Sequence, residues 1–102
     1  MSRNILISNG TLFTMNNGEE PFKSSILVEN GIVSGIFPGP CELPDVSDRT
    51  EVFNAEGLYV TPGFIDIHIH DECEDVRETV EFSLLRQGVT TALSGNCGLG
   101  TL

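Results

Sequence analysis

Basic residues are scarce in this chain. Five lysines and arginines stand against 15 acidic residues, a formal charge of −10 over 102 residues. A surface of that sign repels nucleic acid and anionic lipid, which argues against a phosphate-tracking role. The same acidity keeps a protein in solution and names no partner. Long apolar runs are also missing, and nothing approaches the ~18 uninterrupted apolar residues of a membrane span. The opening Met1-Ser2-Arg3-Asn4-Ile5 carries no apolar h-region, so no secretory signal is expected. Cysteines number three, an odd count with no Cys-x-x-Cys pair and no disulfide framework. The expected compartment is therefore the reducing cytoplasm, with each thiol free or metal-bound. A hydrophobic fraction of 39% with 20% charged residues fits a soluble globular protein. At this length it is one small domain at most, or a piece of a larger one.

Three Asn-Gly pairs punctuate the first third: Asn9-Gly10, Asn17-Gly18 and Asn30-Gly31. Asn-Gly supplies the two positive-φ residues of a type I′ turn, a strong hairpin signal. Around the first pair, Asn4–Ser8 and Thr11–Met15 read as a hairpin; around the third, Ser25–Glu29 and Ile32–Ile36 read as another. Residues 37–50 hold three of the five prolines and read as a loop. Glu51–Asn54 and Leu58–Val60 follow as strands joined through Ala55-Glu56-Gly57. The first 60 residues thus predict a small antiparallel sheet or half a sandwich.

The stretch Val60-Thr61-Pro62-Gly63-Phe64-Ile65-Asp66-Ile67-His68-Ile69-His70 is where chemistry concentrates. Pro62-Gly63 breaks the chain, and a strand pattern begins. Alternation puts Phe64, Asp66, His68 and His70 on one face and Ile65, Ile67 and Ile69 on the other. The two imidazoles are then about 6–7 Å apart, the two-residue rise of a strand. An acidic loop follows, and then a helix pattern with Asp75 as N-cap, Val76, Val80 and Leu84 on one stripe, and Gly88 as the C′ residue. Val89–Ser94 reads as a strand, closed by Gly95-Asn96-Cys97-Gly98. Strand, helix, strand with short joins predicts a right-handed βαβ unit. Sites in such units form beyond the carboxyl ends of the strands, so His68, His70 and Cys97 fall on one rim. A βαβ unit alone leaves most apolar faces uncovered, so the chain is expected to be the front end of a longer protein.

His-x-His is equally compatible with two ordinary histidines, but these are the only two in the chain and both close a strand. Two imidazoles and a thiolate suit zinc better than calcium or magnesium, which prefer oxygen. Cys97 taken alone reads as a small buried residue; its flanking glycines, which let the backbone present the side chain, favour the ligand role. Cys73, three residues past His70, is the weaker alternative because an acidic loop is a poor fixed scaffold, and Cys41 is incidental. Asp66 either orients a histidine from behind or fills an interior polar layer.

The stretch 60–70 resembles the first barrel strand of the amidohydrolase superfamily, with its Pro-Gly-Phe-x-Asp-x-His-x-His. That resemblance implies an α+β chain: a mainly-β half-sandwich over residues 1–60, followed at 61–102 by strand 1, helix 1 and strand 2 of a (β/α)8 metal-dependent hydrolase barrel. It covers the whole chain and roughly a quarter of a full enzyme. Gln87-Gly88-Val89-Thr90-Thr91-Ala92-Leu93-Ser94-Gly95-Asn96-Cys97-Gly98, with His68-x-His70-Asp71-Glu72, is similar to the N-acyl-D-amino-acid deacylase group. Ile69 and Glu72 depart from what is common there. The resemblance implies zinc, one or two ions, held by His68 and His70 with Cys97 holding or bridging a second. It implies hydrolysis of an amide or N-acyl amino acid C–N bond, with zinc lowering the pKa of its water toward ~7. The general base and the remaining ligands would come from later strands, so no catalytic residue is expected within these 102 residues.

Two other readings compete. His68-x-His70-x-x-x-Glu74 resembles the ligand set of cupins, which are all-β metal-binding barrels. The chain also reads as a non-catalytic β-sandwich remnant. The implied partner is a small-molecule amide, with no nucleic acid and no membrane. Uncovered Ile65, Ile67, Ile69 and Val89–Leu93 would favour self-association through exposed strands.

Overall fold

Every second residue from Leu6 to Leu12 is buried, and this run lies in a nine-residue strand, β1 (Asn4–Leu12). The computed structural model describes residues 4–40, 43–70 and 74–98, with backbone alone at 74–76. These form two compact units, Met1–Pro62 and Gly63–Leu102.

In the first unit β1 has neighbours on both sides. One is β2 (Phe22–Glu29), antiparallel, which pairs in turn with β3 (Ile32–Pro38). The other side is shared by β4 (Thr50–Asn54) and β5 (Tyr59–Val60), both parallel to β1. The sheet is therefore mixed, where an antiparallel one was expected. A parallel edge needs a long return connection, and the Pro-rich segment after β3 supplies it; pairing partners so far apart leave no local signal of direction.

The three Asn-Gly pairs behave differently. At Asn30-Gly31 both residues have positive φ (52° and 78°), as a type I′ turn requires, and the hairpin β2–β3 forms there. At Asn9-Gly10 only Asn9 does, with φ 61°. One left-handed residue makes a bulge and not a reversal. The register passes from Ile7↔Ile26 to Gly10↔Ser24, one extra residue on β1. The expected Asn4–Met15 hairpin is thus a single bulged strand. The Asn9 N–H donates to the buried Ser25 hydroxyl at 3.2 Å. At Asn17-Gly18 only Gly18 is positive, and the pair lies in the connection from β1 to β2.

Opposite the bulge the far edge also breaks. β4 ends at Asn54, the Ala55 N–H donates to Ser8 at 2.7 Å, and β5 resumes with Thr11 donating to Leu58 at 2.9 Å. Gly10 lets these chains meet: a Cβ there would collide with Val60 Cγ2 and sit 3.3 Å from Ala55 Cβ. The core of this unit is small, comprising Leu6, Leu12, Ile26 and Ala55 with the hydrogen-bonded Ser8, Ser24 and Ser25. Ile7, Ile26, Val28, Val33 and Ile36 help line an apolar groove of about 490 Å³.

The second unit is β6 (Phe64–Asp66), α1 (Glu74–Arg86) and β7 (Val89–Ala92), with β6 and β7 parallel. The helix stops at Gly88, whose φ of 84° matches the expected C′ residue and whose N–H bonds Leu85 at 3.0 Å. The Gly88 carbonyl then accepts from Phe64 at 2.8 Å, setting the start of β6 against the helix end. α1 begins at Glu74, so Asp75 stands inside its first turn and not ahead of it as an N-cap. Of the predicted stripe, Val80 and Leu84 are half-buried, and Val76 lies where only backbone is described. Phe82, Leu85, Ile65 and Ile67 are exposed, whereas Ile69 is buried. A helix joining parallel strands does not suit the all-β cupin alternative. No helix among the described residues is long and apolar enough to cross a membrane.

Candidate metal centre

The expected strand through His70 ends at Asp66. At this point the Asp66 Oδ1 accepts the His68 N–H at 3.1 Å. A side-chain acceptor two residues back competes with the neighbouring strand for that donor and bends the chain. The ladder is not abandoned. Leu93 N–H donates to Asp66 at 2.9 Å, and Ile69 N–H donates to Leu93 at 3.1 Å. His68 lies between these anchors and His70 just past the second. Their ring centroids lie 5.2 Å apart, somewhat inside the ~6–7 Å rise of a regular strand, and their Nε2 atoms converge to 3.3 Å.

Cys97 arrives from the other strand end. Gly95 and Gly98 both have positive φ (78° and 76°), and the Gly98 N–H donates to Gly95 at 3.0 Å, closing a tight turn around Asn96-Cys97. That turn places Cys97 Sγ 3.7 Å from His68 Nε2 and 3.7 Å from His70 Nε2. A tetrahedral ion with bonds of ~2.0–2.1 Å to nitrogen and ~2.3 Å to sulfur needs N–N edges of about 3.3–3.4 Å and N–S edges of about 3.5–3.6 Å. The triangle formed by the three side chains fits those edges within about 0.2 Å. All three side chains are exposed, so the donors face open space where a further ligand could enter.

Asp66 meets this cluster through backbone: its Oδ1 holds the amide of His68. The weaker thiol candidates, Cys41 and Cys73, lie outside the described residues, as does the side chain of Glu74. Asn96 was missed in the sequence. Its carboxamide donates to Ile67 at 3.0 Å and to Leu93 at 3.1 Å, joining the two strand ends directly beside the cluster. Asparagine in a Gly-bounded turn signals a side-chain hydrogen bond, but only to near neighbours in sequence. Its reach across to Ile67 has no local trace.

No protein-family profile matches the chain. Among curated proteins it is 43% identical over 58 residues to a D-aminoacylase of Alcaligenes xylosoxydans xylosoxydans, covering 57% of this chain and 12% of that protein. It is 41% identical over 93 residues to a dihydroorotase of Caldanaerobacter subterraneus, covering 85% of this chain and 20% of the relative. Among solved structures, a D-aminoacylase described as having a binuclear metal centre superposes with a TM-score of 0.74 at 28% identity, over 96% of this chain and 20% of its own. The chain thus spans a fifth or less of the length of these relatives. Its homologues and structural neighbours are members of the amidohydrolase superfamily, and the chain matches a fragment of that superfamily close to D-aminoacylase.

Proposed function

We propose that this chain is the N-terminal part of a zinc-dependent amidohydrolase that cleaves a non-peptide C–N bond in a small amide or N-acyl amino acid. The carrying observation is the triangle of His68 Nε2, His70 Nε2 and Cys97 Sγ at 3.3, 3.7 and 3.7 Å. Two imidazoles and a thiolate are a donor set for zinc, and three protein ligands leave a coordination position open. In this reading the first unit opens a β-sandwich and the parallel β6–α1–β7 opens a (β/α)8 barrel, with the site at the carboxyl ends of its strands.

When bound, the ion supplies the Lewis acidity that activates water and polarises a scissile carbonyl. The chain's own residues hold and orient. His68 and His70 would hold the ion through their ring nitrogens and Cys97 through its sulfur. Asp66 fixes the backbone angle at which His68 is presented. No general base is assigned to the described residues.

Assay of the full-length protein against N-acyl-D-amino acids and cyclic amides, before and after chelation, tests this reading. Turnover that is lost on chelation and restored by zinc supports it. Turnover indifferent to chelation contradicts it.

A further inference from the structure

We infer that Asn96 is a positioning residue for this centre: its carboxamide ties the carboxyl ends of β6 and β7 together and thereby holds Cys97 Sγ against both imidazoles. The site lies past the last paired residues of both strands, Asp66 and Ala92. Beyond them the backbone bonds between the two ends are Leu93 to Asp66 and Ile69 to Leu93. Neither reaches the turn that carries Cys97. Asn96 Nδ2 supplies the missing link, with one N–H to Ile67 O at 3.0 Å and the other to Leu93 O at 3.1 Å. Ile67 immediately precedes His68, and Asn96 immediately precedes Cys97, so a single side chain couples the backbone next to one donor with the backbone next to another. Both partners are carbonyl oxygens, which only the NH2 end of the amide can serve. An aspartate of the same shape would set a carboxylate oxygen against two acceptors.

The clamp itself is a property of the metal-free chain, and only its consequence for metal affinity rests on the reading proposed above. NMR of the chain without metal tests it directly. Wild type should show contacts between the Cys97 β-protons and the ring protons of His68 and His70. In Asn96→Asp and Asn96→Ala these contacts should vanish while the contacts across β6–β7, from Phe64 to Val89 and from Asp66 to Ala92, persist. Ring contacts that are absent in wild type, survive in both variants, or disappear together with the strand pairing would overturn the inference. Cobalt titration separates it from the metal reading. With the reading correct, Asn96→Ala should weaken cobalt binding roughly 10–100-fold and diminish the thiolate charge-transfer band. Ring contacts in wild type without a thiolate band would end the metal reading and leave the clamp standing. A band and affinity unchanged by Asn96→Ala would end the clamp and leave the metal reading.

Discussion

Cys97 Sγ stands 3.7 Å from His68 Nε2 across 29 positions of sequence. That approach depends on three local devices: the Asp66 acceptor that bends the chain at His68, the Gly95–Gly98 turn that presents Cys97, and the Asn96 amide between them. The Asp66 acceptor makes a separable prediction, as do Asn9-Gly10 and Asn30-Gly31 in the first unit.

Asp66→Ala removes the acceptor of the His68 N–H. Loss of one such hydrogen bond costs about 0.5–1.5 kcal/mol locally, and zinc affinity should fall by roughly tenfold or more. Asp66→Asn keeps an oxygen at Oδ1 and should bind zinc close to wild type. Isothermal titration of both variants checks this. Equal losses would mean that the carboxylate charge matters and the backbone bond does not.

Glycine suits the left-handed positions of both the bulge and the hairpin. Asn9→Gly should leave the thermal midpoint unchanged or raise it, because glycine accepts the left-handed conformation without a Cβ penalty. Gly31→Val should destabilise the first unit by about 1–2 kcal/mol, the cost of a left-handed residue with a side chain. Thermal unfolding followed by circular dichroism reads both.

Gly10→Ala forces a methyl group into Val60 and against Ala55. Overpacking of this kind costs about 1–3 kcal/mol. Urea denaturation of the variant should show a lower midpoint. An unchanged midpoint would mean that the β5 edge gives way freely.

Ile65, in the short parallel pair, and Ile67, just past it, are 68% and 72% exposed. We expect the isolated chain to associate as its concentration rises, and Ile65→Thr with Ile67→Thr to suppress this. Sedimentation velocity distinguishes the two; a wild type that stays monomeric at every concentration would contradict the expectation.

What could be read from sequence follows from how local each cause is. The Asn30-Gly31 hairpin was legible because two adjacent residues decide it. Asn9-Gly10 has the same letters, but the partner strands select a bulge, and that choice is tertiary. The direction of β4 and β5 was illegible because their partner β1 lies more than 40 positions away in the chain, with Asn4 opposite Thr50. At the site, the meeting of His68, His70 and Cys97 followed from placing all three at strand ends. Their spacing did not, because β6 ends at Asp66, where the Asp66 Oδ1 takes the His68 N–H, and a regular strand no longer sets the distance. Asn96 was hidden for the same reason as β4: its partner Ile67 is far away in sequence, 29 positions distant.

Cobalt titration of wild type against Cys97→Ala tests the central claim most directly. A centre built from His68, His70 and Cys97 predicts a thiolate-to-cobalt charge-transfer band in wild type that saturates with metal, is displaced by zinc, and is absent from Cys97→Ala together with a loss of affinity. Identical spectra and identical affinity in the two proteins would contradict it.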